Sequence, residues 1–144
     1  MPKLIVGAAL LDDLVKPREL LVARRNAPAS LAGLWEFPGG KVEAGESAEQ
    51  ALHRELSEEL GVGIQLGEEL LNPAAEAWPL AGSAVMRVWF ATLTQGVPTA
   101  LQDHDELRWM ALDEGEQILR LPWIPADFPI VAELLKAVQP QLAE

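Results

Sequence analysis

Glu55, Glu58 and Glu59 fall within the run Arg54-Glu55-Leu56-Ser57-Glu58-Glu59. Side chains three and four positions apart are neighbours on a helix, so Glu55 would meet both of the others. At about 100° per residue, Glu59 enters the sector occupied by Leu52 and Ala48. Glu55 lies beside that sector and Glu58 further round. Like charges so placed oppose a helix by a few tenths of a kcal/mol per pair. The opposition grows if they are desolvated without a partner. Arg54 can satisfy Glu58 at i,i+4 but cannot neutralise all three. Oxygen ligands in a chain without cysteine suit a hard divalent cation, Mg²⁺ or alternatively Mn²⁺, held jointly with substrate phosphates. A solvated acidic helix face is the competing explanation of the same residues.

A strand, a glycine loop and a helix must position this group. Trp35 and Phe37 flank Glu36 in the alternation of a short strand, and Pro38-Gly39-Gly40 breaks it. Ser47 with Gln50 forms a capping box, so the helix should start just after Ser47. Gly61 is placed to end it in the left-handed conformation. Ala48, Leu52, Leu56 and Leu60 make one apolar stripe along it.

Gly40, Glu46, Arg54, Glu55, Leu56, Glu58, Glu59, Gly61 and Val62 fit the pattern G-x5-E-x7-R-E-U-x-E-E-x-G-U, with U a bulky aliphatic. This resembles the Nudix box with every fixed position filled. The adjoining LWEFPGGKVE is similar to the MutT-type branch, the nucleoside triphosphate pyrophosphohydrolases. The resemblance implies Mg²⁺-dependent cleavage of a nucleoside triphosphate to the monophosphate and pyrophosphate. It implies that Glu58, Glu59 and the Gly39 carbonyl ligate metal, and that Glu55 is a further ligand or the water-activating base. It implies that Arg54 orients the carboxylates and Glu46 holds the loop. It further implies that the backbone of Glu36, Phe37, Pro38 and Gly39 lines the nucleotide site, and that Arg25 contacts the nucleotide, where a guanidinium suits phosphate. A carboxylate six residues before the strand tryptophan reaches the metal site in such relatives; counting back from Trp109 gives Asp103. Asp103 is therefore a rival for the ligand or base role, with His104 beside it as a supporting or structural residue. Asp127 falls where relatives present a base-reading side chain, although a helix N-cap accounts for it equally well. An ionised carboxylate only accepts hydrogen bonds, which fits a cytidine-type or oxidised base. Two alternatives stay open: a nucleotide sugar such as ADP-ribose or a dinucleoside polyphosphate as substrate, and a nucleotide-binding module without catalysis.

With 144 residues, the chain suits one domain, 1–144, with a substantial core. The formal charge of −11 disfavours a nucleic-acid polymer as partner. It does not disfavour a small nucleotide, because metal ions can stand between carboxylates and phosphates. The apolar run from Leu4 to Leu11 is too short for a membrane span and leads into Asp12-Asp13, unlike a signal peptide. A cytoplasmic monomer or homodimer is expected.

Leu4–Leu11 reads as a strand buried on both faces, with Leu20–Ala23 returning. Val62, Ile64 and Leu66 alternate as a strand, as do Val85–Leu93 and Leu107–Leu112, while Ala74–Ser83 reads as a loop over the site. Trp89 and Phe90 are read as core. Asp113 with Glu116 should cap a short helix, and a last helix should carry Val131, Leu134, Leu135 and Val138. The sum is an α+β fold, an α/β/α sandwich around a mixed central sheet, with the box helix on one side and a C-terminal helix. That is also the architecture of the Nudix fold.

Overall fold

A computed structural model describes residues 3–142. Strand β1 (Leu4–Leu11) is apolar in both parities, so neither of its faces can be left to water. Val6, Ala8 and Leu10 enter one core, and Ala9 and Leu11 enter the other. Each core needs its own helical cover, and the chain supplies one on either side.

The first cover is α1 (Ala48–Leu60), whose Ala48, Ala51, Leu52, Leu56 and Leu60 are buried against the β1 residues Val6, Ala8 and Leu10. Its ends form as the sequence predicts. The Ser47 side-chain oxygen accepts from the Gln50 amide at 3.1 Å, and the Gln50 side-chain oxygen accepts from the Ser47 amide at 2.9 Å. Gly61 stops the helix at φ 70°, a conformation that strains residues with a Cβ. The second cover is α3 (Phe128–Leu142) with the short α2 (Gly115–Arg120). Ile118, Ile130, Val131, Leu134 and Val138 seal the opposite face.

The remaining strands are β2 (Glu19–Arg25), β3 (Trp35–Glu36), β4 (Gly39–Lys41), β5 (Gly63–Leu70), β6 (Trp78–Pro79), β7 (Val85–Gln95) and β8 (His104–Ala111). The eight-stranded sheet runs β3-β2-β1-β7-β5, with β4 on β1, β6 on β7 and β8 on β2. β1 and β7 are parallel from Leu4 opposite Val85 to Leu11 opposite Thr92, and the other pairings are antiparallel. The expected mixed sheet between helical layers is present, and Trp89 is buried in it.

Three local expectations are corrected. The segment 74–83 is not all loop: Trp78 is buried, pairs with Met86 as β6, and donates its indole N–H to the Leu70 carbonyl at 3.0 Å. β8 starts at His104 rather than Leu107, because pairing with β2 outweighs the low strand preference of Asp105 and Glu106. Arg24 meets those two carboxylates at 2.9 and 3.3 Å. Asp113 caps nothing: it lies inside a 3₁₀ turn, Leu112–Glu114, that runs directly into α2, and neither turn nor helix has a side-chain cap.

Removing the capping oxygen with Ser47→Ala should lower stability by about 1 kcal/mol. Urea unfolding followed by circular dichroism checks this, and an unchanged midpoint would show that the cap contributes nothing to stability.

Candidate active site

The glycines of β4 bring backbone and carboxylates into contact. Gly39 pairs with Gly7 of β1, and the Ala8 amide donates to the Pro38 carbonyl at 2.8 Å. A Cβ on Gly39 would be driven into the Val6 carbonyl oxygen, so the position must be glycine. A Cβ on Gly40 would collide with the Glu55 carboxylate. The Gly39 amide donates to Glu59 Oε2 at 3.0 Å. The loop thus lies directly on the carboxylate face of α1.

Arg54 holds part of that face. It makes a bidentate pair with Glu46 at 2.7 and 3.0 Å, reaches Glu55 at 3.0 Å and Glu58 at 3.2 Å, and donates to the Lys41 carbonyl at 3.0 Å. Its hydrogen bond pulls the Glu46 carboxyl down to about 2. Glu46 also accepts from the Glu43 amide at 2.9 Å, so it ties the loop to the helix. Burial raises Glu55 above the usual carboxylate range, against the opposing pull of Arg54. Glu59 is 7% exposed and makes no pair with Arg54. Burial pushes it up to about 8; the charge of His104 opposes the rise and that of Glu36 adds to it.

This donor set fits a hard divalent cation. A buried carboxylate with too little positive charge around it gains from one, and all the side-chain donors are oxygen. Among the described residues no three acidic or imidazole side chains converge as a ready-made cage. The helix face supplies part of a coordination sphere, and backbone, water and substrate phosphate must complete it, as is usual for Mg²⁺.

Beside the carboxylates is a cavity of about 210 Å³. Arg25, Glu36 and Asp127 are its charged groups, Gly39 and Gly40 line it, and Phe37, Leu80, Met86 and Ile124 are apolar wall. A larger apolar groove, about 330 Å³, runs past Leu11, Leu14 and Phe90, but no cluster of titratable groups converges on it. Within the smaller cavity, Glu36 Oε2 accepts from Arg25 at 3.0 Å and lies 2.7 Å from His104 Nε2. Burial pulls His104 down, but the Glu36 hydrogen bond and the charges of Glu36 and Glu59 outweigh it and raise the imidazole above its usual value. Asp127 is 4% exposed, and burial with the nearby Glu36 charge pushes it up to about 7, against a hydrogen bond from the Phe37 amide. It closes the 3₁₀ turn Pro125–Asp127, which runs directly into α3. Asp127 is thus a buried carboxyl on the cavity wall.

Arg25, Glu36, Phe37, Gly39 and Asp127 thus share one cavity, and Glu55, Glu58 and Glu59 share the adjoining helix face. Pro38 does not line the cavity. Asp103 stands apart from the three glutamates: its side chain is 63% exposed and lies 3.8 Å from Arg25. The Glu36 side chain, Leu80 and Met86 were not singled out by the sequence pattern. Glu36 had been considered for its backbone alone, since only the sheet register places its carboxylate between Arg25 and His104.

The NUDIX domain family model matches residues 1–134. The chain belongs to the Nudix family. The matched span contains the glycine loop, α1 and the cavity residues. Among relatives of this Nudix chain, the CTP pyrophosphohydrolase of Escherichia coli K12 is 36% identical over 143 residues, covering 97% of this chain and 98% of that protein. The 8-oxo-dGTP diphosphatase of the same organism is 44% identical over 65 residues, covering 45% of this chain and 49% of that protein. The solution structure of the E. coli ORF135 protein matches with a TM-score of 0.73 at 32% identity, covering 99% of this chain and 94% of that one.

Glu59 and Asp127 bind protons more tightly in the folded than in the unfolded chain. Stability from these groups is complete at acid pH and is lost as pH rises through about 7 to 8. Glu46 acts oppositely: its contribution is present above the ordinary carboxylate range and is lost as pH falls towards about 2. Metal-free protein should therefore be most stable in mildly acid solution and lose melting temperature towards pH 8, with Glu59→Gln flattening the alkaline limb. Calorimetry in EDTA measures this, and a parent and variant with the same alkaline slope would contradict it.

Proposed function

We propose that this Nudix protein is a Mg²⁺-dependent pyrophosphohydrolase of (deoxy)nucleoside triphosphates, releasing the nucleoside monophosphate and pyrophosphate by water attack at phosphorus. The observation that carries the proposal is the carboxylate face of α1 packed on Gly39-Gly40 beside a cavity holding Arg25, Glu36 and Asp127. When bound, the cation neutralises charge that develops on the transferring phosphoryl group. Glu58, Glu59 and the Gly39 carbonyl would hold it. Glu55, raised by burial, is a further ligand or accepts the proton of the attacking water, with Asp103 as the alternative acceptor. Arg54 fixes Glu55 and Glu58 against Glu46, so that the face keeps its spacing. The chain has no cysteine, and no serine–histidine–acid arrangement is proposed, so catalysis consists of positioning and charge neutralisation.

The similarity to a CTP pyrophosphohydrolase and to an 8-oxo-dGTP diphosphatase supports cytidine-type or oxidised guanine nucleotides as substrates. Asp127 is suited to choosing between them. With its carboxyl pushed to about 7, it is divided between a neutral donor–acceptor and an ionised acceptor near neutral pH. The ionised form favours the exocyclic amine of cytosine, and the neutral form can also donate to an oxidised guanine edge.

Pyrophosphate release from a panel of dCTP, 5-methyl-dCTP, 8-oxo-dGTP and undamaged dNTPs tests the activity. Glu58→Gln and Glu59→Gln should each lower kcat by roughly 100-fold or more. A variant that turns over like the parent at saturating Mg²⁺ would remove that residue from the metal site. Asp127→Asn keeps the size but always offers an amide donor, so the kcat/KM ratio should move about 10-fold towards 8-oxo-dGTP. An unchanged ratio would place base recognition elsewhere.

A further inference from the structure

The turn that carries Asp103 is an unfavourable piece of backbone. Gln102 at φ 28° and Asp103 at φ 60° are consecutive non-glycine residues in the left-handed region. Such conformations are sparsely populated and persist only where the surroundings over-determine them. Three contacts do so here. The Leu101 amide donates to the Glu59 carbonyl at 3.0 Å, fastening one end to the helix that bears the carboxylates. The Asn26 amide donates to the Asp103 carbonyl at 2.8 Å, fastening the middle to the end of β2 beside Arg25. The third contact is the imidazole of His104.

His104 has a side chain with no solvent exposure. Its Nδ1 lies 2.8 Å from the Gln102 carbonyl oxygen and 3.3 Å from that of Leu101. Carbonyl oxygens only accept, so Nδ1 carries the hydrogen. Its other nitrogen lies 2.7 Å from Glu36 Oε2 inside the nucleotide cavity. One ring therefore spans from the strained turn to the carboxylate that also pairs with Arg25. The Asp103 side chain is mostly exposed, and its described polar neighbour is Arg25 at 3.8 Å. The backbone of the turn therefore decides where its Cα–Cβ bond departs, and with it which partners the carboxylate can reach.

We propose that His104 is a positioning residue, whose Nδ1–H clamps the Gln102–Asp103 turn and so holds Asp103 beside Arg25 of the cavity, while Glu36 fixes the ring from the other side. The proposal rests on the reading of Asp103 as a metal ligand or base. It differs from a space-filling role in one respect: it requires the hydrogen bond from Nδ1. The amide nitrogen of asparagine falls where Nδ1 does, and that of glutamine where Nε2 does. His104→Asn therefore keeps the clamp on the turn, and His104→Gln keeps only the contact to Glu36.

The first measurement uses metal-free protein in EDTA. NMR hydrogen exchange at the Asn26 amide reports directly on the turn, through its bond to the Asp103 carbonyl. Exchange should quicken about 10-fold or more in His104→Gln and stay within about 3-fold in His104→Asn, because local opening becomes easier once the hydrogen bond that holds the turn is lost. Equal exchange in the two variants overturns the clamp. Wild-type protein provides a check that needs no variant: a long-range ¹⁵N spectrum must show Nδ1 protonated, and a bare Nδ1 overturns the proposal. The second measurement compares kcat, KM for dCTP and Mn²⁺ affinity in His104→Gln, Asp103→Asn and the double variant. His104→Gln should lower kcat about 10-fold with little change in KM, and the double variant should be no worse than Asp103→Asn alone. Additive losses mean that His104 acts by another route and overturn the proposal. An Asp103→Asn enzyme with parental kcat and Mn²⁺ affinity refutes the reading of Asp103, whereas an impaired Asp103→Asn beside a fully active His104→Gln refutes the clamp alone.

Discussion

Glu59 is a carboxylate on the apolar side of a helix, and the arrangement around it follows from keeping it there. A charge so buried is stable only with hydrogen bonds or opposite charge close by. The backbone of Gly39 provides the hydrogen bond, and it can come near enough only because it has no Cβ to strike β1. Gly40 makes the same allowance for Glu55. The glycine pair, the helix register and the β1–β4 pairing are thus one constraint seen from three sides. A residue larger than glycine at position 39 would strike β1 and separate the carboxylates from the backbone carbonyl proposed as their co-ligand.

The sheet makes that constraint affordable because β1 is fixed on every side. It pairs with β7 along its whole length, with β2 at one end and with β4 at the other, and its two faces feed two separate cores. A strand so held cannot shift its register by one residue without turning Val6, Ala8 and Leu10 from one core into the other. The position of Gly39 is therefore inherited from packing far larger than the site. The glycine loop and the helix face are thereby held in register, while Glu58 and Asp103 are partly open to solvent.

Local chemistry in the sequence accounts for what was legible there. The capping box at Ser47, the left-handed stop at Gly61 and the four-residue stripe of α1 depend on neighbours within a turn or two, so the chain states them directly. The sector of Glu59 followed from the same periodicity, and its burial confirmed the unusual placement. What was not legible depends on register between distant strands. Nothing near Glu36 announces that its side chain will lie between Arg25 and His104, because β2, β3 and β8 are brought together only by tertiary pairing. The late start assigned to β8 failed for that reason, and the cap expected at Asp113 failed because a 3₁₀ turn absorbed it. Asp127 has two adequate explanations in sequence, and neither local pattern states that it will be buried beside Phe37.

The charge of −11 looks ill suited to a triphosphate substrate until the site is resolved into its parts. Arg54 is largely committed to Glu46, Glu55 and Glu58, and Arg25 to Glu36 and the Ala27 carbonyl. Few protein cations are left over for phosphate. The surplus of carboxylate on α1 is instead a demand for positive charge, which a divalent cation supplies while leaving coordination positions for phosphate oxygens. Free nucleotide should meet repulsion where the metal complex meets attraction. Positive charge brought to the acidic face relieves the same burial of carboxylate that weakens the fold at alkaline pH.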